Sequence, residues 1–211
     1  MDFAGHPTLG TCHAWLAHGG QPQVPGRMVQ ECAAGLVPIA QSAHGLAFAA
    51  PAVQRLPLPP VLPQVCEALG LATEQVLDTA LLDVGTPWLC VRVDSARTLH
   101  ALNADAARLQ ALAPLFHADV GLGLCALMPH EDAPQTANPA SQLAVRAFTL
   151  DGAEDPVTGS LNACLAHWLL QQNLLSTPYQ ARQGCCVGRD GWVGIDRDAS
   201  QQLWVQGHSV A

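Results

Sequence analysis

The chain has 211 residues, of which 49% are hydrophobic and 12% charged, and its net charge is −8. This composition can bury a sizeable core, as one domain or as two small lobes, whereas an acidic chain is poorly suited to a phosphate backbone, which excludes nucleic acid as the main partner. Because no apolar run approaches the roughly 18 to 20 residues of a membrane helix, and MDFAGHPTLG at the start lacks the features of a secretory signal, we expect no membrane partner and a cytoplasmic location.

Hydrophobic periodicity predicts a mixture of helices and strands. Helices are predicted where apolar residues recur at helical spacing and where proline or glycine marks an end, as Pro7 and Gly70 do. Strands are predicted where short apolar runs are bounded by turn residues. In chain order, these rules predict a helix at 6–17, strands at 27–40 and 46–50, an extended proline-rich connection at 51–63, a short helix at 61–70, strand character over 81–93, a helix at 104–112, strands at 120–127 and 143–150, a helix at 159–172 and short strands over 180–210.

Two of the predicted helices begin and end alike. The first begins at Gly5-His6 and ends in HAWL at 13–16. The second begins at Gly159-Ser160 and ends in AHWL at 166–169. Such an internal echo predicts two lobes, each with strands around one helix. We therefore divide the chain into a first lobe, residues 1–83, and a second lobe, residues 84–211, whose tail can return to the first.

The strongest functional signal is the segment EDPVTGS at 154–160, where an acidic pair precedes the start of an apolar helix. A helix start carries unpaired N–H groups and a partial positive charge, which attract a carboxylate or a phosphate. The backbone of Thr158, Gly159 and Ser160 would hold such an anion, since glycine allows a close approach. Asp155, just upstream, would act as an acid or a base. The alternative is purely structural, because Asp, Thr and Ser are also ordinary N-cap residues.

A second signal is the segment GHPT, in which Gly5 and His6 open another helix. An imidazole at the start of a helix is a good proton donor or acceptor. The alternative is a histidine that caps the helix or packs in the core.

Several kinds of chemistry lack the residues they need. All nine basic residues are arginine, so neither a pyridoxal-phosphate lysine nor a Walker A lysine is present. The eight cysteines form no C-x-x-C motif, and we expect reduced thiols and no metal site. The vicinal pair Cys185 and Cys186 could be redox-active, but no base lies near it in sequence.

Five segments together resemble the PhzF-like family, the isomerase relatives of phenazine biosynthesis, and they run in the family's order over nearly the whole chain. They are FAGHPTLGTCHAWL, VQECAAGLVPIA, DVGTPWLCV, RAFTLDGAEDPVTGSLNACLAHWL and YQARQGCCVGRDG. The resemblance implies an α+β fold that is similar to diaminopimelate epimerase: two pseudo-symmetric lobes, each a curled mixed sheet or barrel around a central helix, with the active site in the cleft between them.

The resemblance also implies a chemistry. The family's function implies a cofactor-independent isomerase that relocates a proton within a small, anionic, carboxylate-bearing substrate. His6 and Asp155 would be catalytic, and Gly5, Thr158, Gly159 and Ser160 would bind the substrate. The epimerase relatives use a cysteine at each of the two helix starts; here His6 and Ser160 stand in those places, which does not support a two-thiol mechanism.

The chain departs from the family at its start. Met1 stands four residues before Gly5, whereas family members carry an earlier strand-helix-strand section with a glutamate that shuttles the proton. The comparison implies an incomplete first lobe, and we expect a homodimer that covers it. The alternative function is that of a catalytically impaired or non-catalytic protein that binds small acids.

Overall fold

The computed structural model describes residues 2–42, 45–116, 119–128 and 141–207, and these contain five α-helices and twelve strands. The helices are α1 (Gly5–Ala17), α2 (Leu62–Leu69), α3 (Ala96–Ala101), α4 (Ala106–Leu112) and α5 (Gly159–Gln171). The strands are β1 (Arg27–Cys32), β2 (Gly35–Ser42), β3 (Gly45–Ala49), β4 (Gln54–Leu56), β5 (Val76–Asp83), β6 (Pro87–Val93), β7 (Gly121–Leu127), β8 (Ser141–Phe148), β9 (Glu154–Asp155), β10 (Tyr179–Gln183), β11 (Gly191–Arg197) and β12 (Leu203–Gly207).

The strands form one mixed sheet in the order β1-β2-β3-β12-β11-β10-β8-β7-β6-β5-β4, with β9 paired to β8. The pairs β6–β7 and β8–β10 are parallel, and the other pairs are antiparallel. In the described part of the chain the sheet is open, because its path ends at β1 and at β4. The pairing of β12 with β3 joins the tail to the early strands, while the division into lobes at residue 83 stays a prediction.

Helix α5 lies on the inner face of the sheet. Three of its four leucines, its alanines, Cys164 and Trp168 are buried in one cluster with side chains from early and late strands, such as Phe48 of β3 and Val205 of β12. A helix that is apolar nearly all round requires such surroundings, since each buried leucine contributes about 1.5 to 3 kcal/mol. The burial of α5 therefore holds the early and late strands together.

A second apolar cluster covers the outer face of β5 to β8, where α2, α3 and α4 pack. Strand β6 shows how the two faces are divided: Trp88 and Cys90 point to the inner cluster, and Leu89 and Val91 to the outer one. Because successive side chains of a strand alternate, a strand buried on both faces reads as a continuous apolar run. No described helix is both long enough and apolar enough to cross a membrane.

Most predicted elements are present, with differences of a physical kind. The helix predicted at 6–17 begins one residue earlier, and the one at 159–172 ends one residue earlier. The strand predicted at 27–40 is a hairpin, β1 and β2, because Gly35 takes a φ of 102° after the turn. The proline-rich connection contains the short edge strand β4. Helix α3 was not predicted, although Ser95 caps it by accepting the N–H of Thr98. The end of the tail predicted over 180–210 lies outside the described residues, which stop at 207.

Candidate functional site

The starts of α1 and α5 meet at Gly5 and Gly159. A Cβ added to Gly5 would lie 2.6 Å from the Cα of Gly159, and one added to Gly159 would lie 2.9 Å from the Cα of Gly5. Only glycine tolerates this approach of two backbones. The partial positive charges of two helix N-termini therefore lie close together. They repel each other, and an anion bound near both would offset that repulsion.

The residues before α1 fix its position. The N–H groups of Asp2 and Phe3 donate to the carbonyl of Gly85 at 2.8 and 3.2 Å, and the hydroxyl of Thr86 donates to the carbonyl of Phe3. The Phe3 ring is buried and meets Phe48 edge-on, with the ring centroids 5.1 Å apart. The start of α1 is thus tied to the turn between β5 and β6 and to β3.

A single buried amide fixes the start of α5. The Oε1 atom of Gln183 accepts the N–H of Thr158 at 3.1 Å and the Nδ2 of Asn162 at 3.1 Å. Its Nε2 atom donates to the carbonyl of Asp155 and to the hydroxyl of Thr158, both at 2.8 Å. Because every hydrogen-bonding group of this amide has a partner, the segment from Asp155 to the helix is rigidly attached to β10.

The hydrogen bonds at the start of α5 determine which of its N–H groups are free to bind a ligand. The N–H of Thr158 has an internal acceptor, whereas no described side chain or loop carbonyl accepts the N–H of Gly159 or Ser160. The hydroxyl of Ser160 accepts the indole N–H of Trp88 at 3.1 Å, and Ser160 is 5% exposed. Ser160 can therefore offer a ligand its backbone N–H and its hydroxyl proton, while the hydroxyl oxygen is held by the indole. In α1, Pro7 has no N–H, which leaves those of Gly5 and His6.

Glu154 and Asp155 point to opposite faces of the sheet because they are successive residues of a strand. Glu154 forms a bidentate ion pair with Arg146, at 2.7 and 3.0 Å, and both side chains are less than a tenth exposed. Arg146 also donates to the carbonyls of Leu99 and Leu102. Burial acts to lower the pKa of Arg146, but the hydrogen bonds and charge of Glu154 outweigh it and raise that pKa. Glu154 thus belongs to the core.

Asp155 is half-buried on the side of the helix starts. Its Oδ2 accepts the hydroxyl of Thr158 at 2.8 Å, and its Oδ1 accepts the N–H of Val157 at 3.3 Å. Each oxygen keeps a lone pair free, so the carboxylate can still accept a proton or a hydrogen bond.

The structure brings Gly5, Gly159 and Ser160 together, and His6 and Asp155 flank this junction in sequence. His6 is exposed. The catalytic roles of His6 and Asp155, and the separation of about 10 Å or less expected for two groups that serve one ligand, stay predictions. Thr158 is 4% exposed and both of its polar groups have internal partners, so contact between its N–H and a substrate would require Gln183 to move.

Two supporting residues were not singled out from the sequence. Gln183 and Trp88 lie in two of the segments that resemble the family. A glutamine on a strand and a tryptophan in an apolar run do not indicate by themselves which groups they bond. The close glycine contact could have been anticipated from the two helix-opening glycines.

Two cavities of the described part of the chain lie away from the junction. One, of about 700 Å³, lies between α1 and β1 and is lined by Cys12, Trp15 and Met28 among others. The other, of about 630 Å³, lies between α3 and β10 and is lined by Arg97, His100 and Arg182 among others. Neither cavity is lined by Gly5, Gly159 or Ser160.

The described residues contain no group of three or more His, Cys, Asp or Glu side chains arranged to hold a metal ion. All eight cysteines are free thiols. Burial raises the pKa of the Cys125 thiol to about 12 and that of Cys186 to about 11. Since thiolates are the reactive form, these two groups are unsuited to act as nucleophiles near neutral pH.

Comparison with known proteins supplies the context for this junction. Residues 1–211 match the PhzC-PhzF family, described as phenazine biosynthesis-like protein. The chain is 27% identical over 215 residues to an uncharacterized isomerase of Pasteurella multocida, covering 100% of this chain and 68% of that protein. It superposes on a PhzF-family phenazine biosynthesis protein of Bacillus anthracis with a TM-score of 0.73 and 18% identity, covering 97% and 72% of the two chains. It also superposes on a hydroxyproline epimerase of Agrobacterium vitis, solved with bound trans-4-hydroxy-L-proline, with a TM-score of 0.56 and 15% identity, covering 100% and 65%.

The fold is the diaminopimelate-epimerase-like fold that these structures share, and together with the family match it defines an isomerase-like enzyme. The chain belongs to the PhzC-PhzF family of phenazine biosynthesis-like proteins.

Proposed function

We propose that this protein is a cofactor-independent isomerase that relocates a proton within a small carboxylate-bearing metabolite. The observation that carries the proposal is the contact between Gly5 and Gly159, which makes two helix N-termini converge on one place. A carboxylate at this place would accept hydrogen bonds from the N–H groups of Gly159 and Ser160. The partial positive charges of both helix N-termini would attract it as well.

In this proposal His6 and Asp155 exchange the proton. One accepts it from a carbon of the substrate and the other supplies a proton at a second position, which an imidazole and a carboxylate do without further groups. The amino acid bound to the Agrobacterium epimerase supports a substrate of this size and charge. We also propose a cytoplasmic location, because the cytoplasm keeps thiols reduced and all eight cysteines are free.

The test is proton exchange in heavy water. The protein is incubated with a panel of small carboxylic acids, including trans-4-hydroxy-L-proline, and deuterium incorporation is followed by NMR. We expect at least one acid to gain deuterium at carbon. His6→Gln and Asp155→Asn should each slow this exchange by about 10²- to 10⁴-fold, the contribution of one acid/base group.

His18→Gln and Asp196→Asn are matched controls, because these residues lie away from the junction: His18 follows the end of α1, and Asp196 is exposed near the far end of β11. Both variants should exchange at the wild-type rate. A chain that binds acids, as seen by chemical-shift changes, but never exchanges their protons contradicts the isomerase and supports the small-acid-binding alternative.

A further inference from the structure

The amide of Gln183 has only one orientation that satisfies its partners. Its Oε1 meets the N–H of Thr158, which can only donate, and its Nε2 meets the carbonyl of Asp155, which can only accept. Amide oxygen and nitrogen are assigned from such partners. Since a flipped amide would lose both hydrogen bonds, Nε2 must lie on the side of Asp155.

This orientation determines where the hydroxyl proton of Thr158 points. The Nε2 of Gln183 also donates to the Oγ1 of Thr158, so that oxygen acts there as an acceptor. Its single proton then points to the Oδ2 of Asp155, 2.8 Å away. Gln183 is 0% and Thr158 4% exposed, so water offers the hydroxyl no competing partner.

The two oxygens of Asp155 are therefore not equivalent. Oδ2 already accepts the Thr158 hydroxyl at 2.8 Å, so a proton added to Oδ2 would share that oxygen with the hydroxyl proton. Oδ1 has only the N–H of Val157, at 3.3 Å, which is longer than an ordinary N–H···O hydrogen bond. A proton placed on Oδ1 meets no opposing hydrogen of comparable proximity.

We propose that Gln183 and Thr158 are positioning residues that direct Asp155 to exchange protons through Oδ1, an inference that rests on the proposed function. In one direction the substrate C–H bond breaks, an Oδ1–H bond forms, and the electron pair left in the substrate takes up the proton that His6 supplies at the second position. In the other direction the Oδ1–H bond breaks and its proton goes to carbon, while His6 takes back its own proton. Through both steps Oδ2 keeps the hydrogen bond from Thr158, which fixes the direction of Oδ1.

The kinetic test compares Thr158→Val with Thr158→Ser in the deuterium-exchange assay. Valine removes the hydroxyl at nearly equal volume, so Asp155 can rotate, and kcat should fall about 10- to 100-fold while KM changes by less than about twofold. Serine keeps the hydroxyl and should restore most of kcat. Thr149→Val is the matched control, because the Thr149 hydroxyl also donates to an aspartate, Asp151, at an exposed position; its kcat should equal that of the wild type.

A second readout does not need activity. The NMR spectrum of the wild type should show a slowly exchanging hydroxyl proton of Thr158, and Gln183→Glu should lose it, since a carboxylate has no N–H to direct it. Wild-type protein that exchanges no substrate proton contradicts the proposed function, and the spectrum then decides the hydrogen-bond chain by itself. An unchanged kcat in Thr158→Val, a serine variant no better than valine, or the absence of the hydroxyl resonance from the wild type would overturn the inference.

Discussion

Gln183 shows how one side chain can support a whole segment. It is fully buried, and its amide serves two donors and two acceptors that come from the loop before α5 and from α5 itself. A buried polar group without a partner costs more free energy than a hydrogen bond contributes. The amide therefore stabilises the site chiefly by leaving none of these four groups unsatisfied.

We predict that Gln183→Met lowers the free energy of unfolding by about 2 to 4 kcal/mol, because the N–H of Thr158 and the carbonyl of Asp155 stay buried and lose their partner. Gln180→Met, on the same strand, is the control. The Oε1 atom of Gln180 is buried with no partner among the described residues, so its removal should cost less than about 1 kcal/mol. Urea denaturation measures both changes, and equal losses in the two variants would contradict the prediction.

The sequence predicted candidate site residues but not their surroundings. Asp155 and Gly159 could be selected because an acid, a glycine and an apolar helix follow one another within a few positions. The sequence could not predict that Glu154 is buried in an ion pair while Asp155 lies beside the helix starts. That difference depends on Arg146, eight positions before Glu154, and on the face of the sheet that each acid occupies. Side-chain contacts across a sheet depend on the register of its strands, and a single sequence does not reveal that register.

At the scale of elements, the contact between α1 and α5 depends on the absence of two side chains. A Cβ on Gly5 would approach the Cα and C atoms of Gly159 at 2.6 and 2.9 Å and the N of Ser160 at 3.0 Å. All three are backbone atoms of a buried helix, so they cannot move aside without shifting α5 in its core.

We predict that Gly5→Ala destabilises the protein by about 1 to 3 kcal/mol or more, as overpacking does, and reduces proton exchange by separating the helix starts. Gly10→Ala, in the middle of α1, has the same change in composition and no described atom within 4 Å of the new Cβ. It should stabilise the protein by about 0.5 to 1 kcal/mol. Thermal unfolding distinguishes the two; if Gly10→Ala were as harmful as Gly5→Ala, the helix contact would not be the cause.

Elements with long apolar patterns were predictable, and short ones were not. Helix α5 is apolar over most of thirteen residues, and its ends agree with the sequence pattern to one residue. Helix α3 has six residues and β9 has two, and both exist because neighbouring elements hold them. A short segment gains too little from its own periodicity to be recognised without that context.

At the scale of the whole molecule, the described sheet leaves an edge at β1 beside exposed apolar side chains, Val29 at 61% and Leu36 at 71%. Exposed edges and apolar surfaces favour association. We predict a homodimer through this region. Val29→Asp should weaken it about tenfold or more, because the charge would be buried without a partner. Sedimentation velocity measures the dissociation constant.

Leu77→Asp is the control for this substitution, since Leu77 is 51% exposed on β5, away from β1. Its dissociation constant should match the wild type. Wild-type protein that stays monomeric at high concentration, or a Val29→Asp variant that dimerises as well as Leu77→Asp, would contradict the homodimer at β1.

The pairing of β3 with β12 has a consequence for the nascent chain. Ala49 lies opposite Trp204, so an early strand receives its neighbour from a segment that is synthesised much later. Until then the first hairpins present an open edge and an apolar face, and contacts between distant positions form slowly. Among the described strands, β3 therefore waits longest for a partner during synthesis, which makes its hairpin the segment on which a holding chaperone would act.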